Sequence, residues 1–121
     1  KLGPDFIQLS GEDGTALEFN MRGGLGCISV TANVASKLCA EFQEASLSKN
    51  NSNLMAKAKE INNKLAPLHK SLFIESNPSP VKYAASLLKL APDEVRLPLV
   101  KVTEETKKAV KSALVYANLI H

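Results

Sequence analysis

The sequence has no Trp, only two Tyr and four Phe, and only two residues each of Cys and His. Two cysteines carry no disulfide framework, so Cys27 and Cys39 are expected to be free, buried small hydrophobes of a reduced, cytoplasmic protein. Two histidines without spaced Cys, His or carboxylate partners point to no metal site, and no cofactor is expected. No apolar run approaches the roughly 18 residues of a membrane span. The 15 basic and 12 acidic side chains leave a net charge of +3, too weak and too dispersed for a polyanion-binding surface. Neither nucleic acid nor membrane is an expected partner. The opening Lys1-Leu2-Gly3-Pro4 has no initiator Met, no apolar h-region and no Arg-rich amphipathic character, so no export or import leader is expected.

What is present suits one ordinary core, since 121 residues with 45% apolar content can bury enough surface without disulfide or metal support. Phe6-Ile7-Gln8-Leu9, stopped by Ser10-Gly11, and Cys27-Ile28-Ser29-Val30-Thr31, stopped by Ala32-Asn33, have the composition of strands. Between them, Gly14 to Arg22 is expected to be helical, with Asp13 able to cap its start and Gly23-Gly24 ending it. A crossover of this length predicts a βαβ unit with parallel strands.

From Val34 onward the apolar period is helical. Val34, Leu38, Phe42 and Ala45 make one stripe; Leu54, Ala58, Ile61, Leu65, Leu68 and Leu72 make a second, with Pro67 inside it predicting a kink or break. Asn77-Pro78-Ser79-Pro80 reads as a stop and a new start, followed by the stripe Val81, Ala84, Ala85, Leu88. Ala91-Pro92-Asp93 and Leu97-Pro98 mark a loop, and Thr103 opens a last helix whose apolar side is Ala109, Val110, Ala113, Leu114 and Ala117.

Two parallel strands with five helices are physically incomplete, because parallel strands occur almost only in larger sheets covered on both faces. Cys27 to Val30 is apolar on both sides of the pleat, as a fully buried strand would be. The chain is therefore expected to be the C-terminal part of a larger α/β protein, a βαβα unit followed by a helical extension.

Five blocks in order, Leu9-Ser10-Gly11-Glu12-Asp13, Gly26-Cys27-Ile28-Ser29-Val30-Thr31-Ala32-Asn33-Val34, Pro67-Leu68-His69, Asn77-Pro78-Ser79-Pro80-Val81-Lys82 and Arg96-Leu97-Pro98-Leu99, resemble the C-terminal portion of bacterial dihydrodipicolinate synthases. The resemblance implies an α/β fold, with the last two strands of a (β/α)8 TIM barrel plus a C-terminal helical extension; residues 1–48 would be the barrel part and 49–121 the extension. It implies a Schiff-base lyase, without cofactor, that condenses pyruvate with aspartate semialdehyde in lysine and diaminopimelate biosynthesis, and a homotetramer. The family's reactive lysine, tyrosine shuttle and entrance arginine would all precede Lys1, so no catalytic residue is carried over. Two substrate-binding positions are: Ile28, pointing into the barrel beside the pyruvate site, and Gly11, where a residue without Cβ lets backbone approach a small keto acid. The family has two acidic residues after this glycine, which this chain keeps as Glu12 and Asp13, and the resemblance implies that one or the other sits at the pocket rim.

On spacing alone, Ile28 is a buried strand residue and Gly11 a turn glycine. Gly23-Gly24-Leu25-Gly26 lacks the Lys-Ser/Thr of a phosphate loop and precedes a strand, so it reads as a helix cap. Lys107, Lys108 and Lys111 read as a solvated face, and Lys82, on a predicted helix, lacks the desolvated strand-end setting that Schiff-base chemistry needs. Two alternatives stay open: another pyruvate aldolase of the N-acetylneuraminate lyase type, and a non-catalytic helical module that pairs through its open strand edges.

Overall fold

The computed structural model describes residues 3–121. A 3-10 turn, Asp13–Thr15, leads into α1 (Ala16–Met21), followed by α2 (Ala32–Leu47), α3 (Ser52–Ser71), α4 (Ser79–Leu87) and α5 (Glu104–Tyr116). The stripes predicted from 3.6-residue periodicity become the core. Val34, Phe42 and Ala45 of α2 meet Ala58, Ile61, Leu65 and Leu68 of α3, and Val110, Ala113 and Leu114 of α5 close the other side of α3. α4 lies against α5 and α2, burying Val81 and Ala84.

The helix boundaries follow local chemistry. Asn51 caps α3 by accepting from Asn53 N and Leu54 N, and Thr103 caps α5 by accepting from Thr106 N. α1 ends in two reciprocal bonds, Gly23 N to Asn20 O and Gly24 N to Phe19 O. This double closure needs a residue with positive φ, and Gly23 supplies it at +115°. Gly24 has a different reason: a Cβ there would collide with the Phe19 ring. Of the kink or break expected at Pro67, no break occurs: α3 is one helix from Ser52 to Ser71 with Pro67 inside it. Residues 88–103 hold no helix, in keeping with the loop expected around Ala91-Pro92 and Leu97-Pro98.

The strands expected at 6–9 and 27–31 are not found. Among the described residues no strand is assigned, and the pairing is a single parallel bridge, Ser10 with Cys27. Ser10 N donates to Gly26 O and Ile28 N donates to Ser10 O, both at 2.8 Å, while Leu25 N reaches Gln8 O at 3.0 Å. The direction is the expected one, but two parallel segments without flanking strands support little further ladder. Nor is 27–30 buried on both faces: Ile28 is 73% exposed, and Phe6, Ile7, Leu9 and Leu25 also face outward.

α3 is fastened to the turn before α2 by His69, whose Nδ1 lies 2.7 Å from Thr31 Oγ1. Burial pushes the His69 pKa below its ordinary value, with Asp13 and Glu12 pulling in the opposite direction. Since the folded state resists protonating this ring, the unfolded state binds more protons below about pH 6.5, and stability falls as pH falls through that region. Urea midpoints at pH 7.5 and 5.5 should show this loss, and His69→Gln should flatten it. Leu68, with no exposed surface, should cost about 2–5 kcal/mol when replaced by Ala, read as a shift of the same midpoint. Thr103→Ala, which removes the α5 cap, should cost about 1 kcal/mol.

Candidate functional site

The parallel bridge brings together the two positions carried over from sequence. Gly11 directly follows the bridge residue Ser10, and Ile28 directly follows its partner Cys27. Both are exposed, and a Cβ added at Gly11 would meet nothing within 4 Å. Glycine at this position is therefore not demanded by packing among the described residues.

Beside them lies a polar knot that the sequence did not reveal. In a parallel ladder that starts with Ser10 N to Gly26 O and Ile28 N to Ser10 O, the next rungs would join residues 12, 28 and 30. Those rungs are not made. Glu12 N turns back to Ser10 Oγ at 3.1 Å, and Val30 N donates instead to Asp13 Oδ2 at 3.0 Å. The same oxygen accepts from Thr31 N at 3.1 Å, while Asp13 Oδ1 accepts from Ser29 Oγ. A side-chain carboxylate has taken the place of a backbone carbonyl, and the second segment is steered out of the ladder into α2. The helix-capping role expected of Asp13 falls to Glu12, whose Oε1 accepts from Gly14 N at 3.0 Å.

The knot is buried on its inner side. Asp13 is 7% exposed and Thr31 fully buried. Cys27, Cys39, Phe42, Leu65 and His69 join Asp13 around a cavity of about 240 Å3. Both thiols are free. Burial, then the Asp13 charge, pushes Cys27 above its ordinary pKa and Cys39 up to about 11, so both remain neutral thiols at neutral pH. They are poor nucleophiles in that form. Among the described residues no group of three or more His, Cys, Asp or Glu is placed to hold a metal, and no helix is long and apolar enough to cross a membrane. Lys82 sits half-buried in α4, outside the bridged segments.

Sequence reasoning marked Gly11 and Ile28 but not the pairing of Asp13 with Thr31, or of Thr31 with His69. These partners lie 18 and 38 residues apart, and no local periodicity links them.

Comparison with known proteins matches residues 1–117 to the dihydrodipicolinate synthetase family. The chain is similar to the 4-hydroxy-tetrahydrodipicolinate synthase of Pelagibacter ubique, at 62% identity over 99% of this chain and 41% of that protein. It is similar to the enzyme of the same name from Parvibaculum lavamentivorans at 52% identity, over 100% of this chain and 40% of that protein. Among solved structures, a chloride-inhibited dihydrodipicolinate synthase from Acinetobacter baumannii complexed with pyruvate superposes with a TM-score of 0.87 at 40% identity, covering 95% of this chain and 38% of that one. The chain thus spans about 40% of the length of the curated relatives it matches. With nearly every residue inside the matched region and the backbone superposing on solved members, the chain belongs to the dihydrodipicolinate synthetase family.

Proposed function

We propose that these residues are the C-terminal part of a longer 4-hydroxy-tetrahydrodipicolinate synthase, a lyase that condenses pyruvate with aspartate semialdehyde through a Schiff base in lysine and diaminopimelate biosynthesis. The observation that carries this is the match of residues 1–117 to the family together with 62% identity to a relative bearing that name. In this proposal residues 1–48 complete the barrel, residues 49–121 form the extension, and Gly11 and Ile28 line the pyruvate pocket. The geometry supports these two roles. Gly11 keeps open space where a Cβ would stand, and Ile28 presents an apolar side chain that the described residues leave 73% exposed. The exposed apolar edge around Phe6, Leu9 and Leu25 favours the rest of a barrel as its cover, over a free-standing helical module. A cytoplasmic homotetramer belongs to the same proposal.

The chemistry assigns this segment a binding role and leaves the covalent role elsewhere. Capture of pyruvate requires an amine that is neutral at working pH, attacks the keto carbon and expels water to form an imine. A lysine of ordinary pKa, about 10.4, is almost wholly protonated and cannot do this until desolvated. Apart from Lys1, every lysine of the chain lies at or beyond Lys37, outside the bridged segments that carry Gly11 and Ile28.

Incubation with pyruvate and borohydride, read by intact mass, tests the assignment. The full-length protein should gain one pyruvate-derived group per subunit, and the isolated 121 residues should gain none. Ile28→Asp in the full-length protein should weaken trapping by setting a carboxylate against an anionic substrate, whereas Lys82→Gln should leave it intact. Stoichiometric labelling of Lys82 would overturn this division of roles.

A further inference from the structure

Resting on the pyruvate-pocket roles of Gly11 and Ile28, we infer that Asp13 is the positioning residue that fixes the spacing between these two walls. Three observations carry the inference. The first is where the backbone pairing stops: the last bond between the two segments is Ile28 N to Ser10 O, at the threshold of Gly11 on one side and at Ile28 itself on the other. Beyond that rung no backbone hydrogen bond holds the two segments together.

The second is what replaces the ladder. Asp13 stands two residues past Gly11, and its carboxylate accepts from Ser29 Oγ, Val30 N and Thr31 N, the three residues that follow Ile28. Each wall is thus gripped on both flanks, by the bridge before it and by the carboxylate after it. Hydrogen bonds to an ionised acceptor are stronger than neutral ones, and Asp13 itself is only 7% exposed. Ser29 Oγ also accepts from Ala32 N at 2.9 Å, so the hydroxyl that Asp13 holds in turn holds the start of α2.

The third is the brace from behind. Thr31, held through its backbone N by Asp13, is held through its hydroxyl by His69 of α3. The extension therefore bears on the Ile28 wall through Thr31, which gives the helices after residue 49 a mechanical role at the substrate pocket. Asp13 itself need not touch pyruvate. Its effect is on how well the preformed walls fit the substrate, so it should appear in substrate affinity more than in turnover, because the reactive amine lies on another part of the protein.

The full-length protein carrying Asp13→Asn tests this. The substitution keeps the side chain's shape but removes the charge and turns one acceptor oxygen into a donor. The pyruvate KM, measured in turnover with aspartate semialdehyde, should rise about tenfold while kcat stays within about threefold. The half-saturating pyruvate concentration for borohydride trapping should rise in parallel. Ser29→Ala, which removes one of the three donors, should move KM in the same direction by a smaller factor. Thr103→Ala, which weakens the fold far from the bridge, should lower the melting temperature and leave the pyruvate KM unchanged. An Asp13→Asn protein that melts earlier with an unaltered pyruvate KM would overturn the inference; should that variant not fold, an unaltered KM in Ser29→Ala overturns it equally. A wild-type protein that traps no pyruvate at all would instead remove the substrate assignment on which the inference stands.

Discussion

A buried carboxylate must be satisfied, because an ionised group withdrawn from water without partners is too costly for a marginally stable fold to keep. Asp13 meets this requirement by collecting donors from three successive residues of a distant segment. The consequences spread outward from there. The strand-like segment is diverted at Val30, α2 starts at Ala32, and Thr31 is presented to His69 on α3. The bridged segments are thereby tied to α2 and α3 by directional bonds, while the helices meet one another mainly through apolar packing, apart from Asn20 of α1, which donates to Gln43 and Ser46 of α2.

That division of labour explains how much of the molecule was legible. The stripes in α2, α3 and α5 are local properties, since side chains three or four apart share a face, and Val34, Phe42, Leu65, Leu68, Val110 and Leu114 are buried where the period put them. The Gly23-Gly24 helix end and the Thr103 cap are local as well. The strands failed for the opposite reason. A strand is stabilised by its neighbours across the sheet, and a β-branched composition in 27–31 cannot reveal whether those neighbours are present. Glu12 took the capping role expected of Asp13 because both can cap a helix, and only the donors at Ser29, Val30 and Thr31 decide which one does.

The roles proposed for Gly11 and Ile28 rest on family resemblance more than on residue physics. Gly11 and Ile28 look like an ordinary turn glycine and an ordinary apolar residue. The structure adds that the bridge sets them side by side and that packing among the described residues does not demand glycine at position 11. Cys27 and Cys39 illustrate the converse. Two thiols facing one cavity invite a reactive role, yet burial beside a carboxylate keeps both protonated, so they act as small packing groups.

The outward-facing row of Phe6, Ile7, Leu9, Leu25 and Ile28 has a further consequence for the cell. An unpaired, apolar backbone edge is what molecular chaperones grasp and what seeds precipitation when a chain circulates alone. Produced by itself, this segment would present that edge continuously, and its survival would depend on how quickly a covering sheet arrives. The feature that would fit it to complete a barrel, as proposed, is therefore the same one that would mark it for quality control whenever the rest of that barrel is not there.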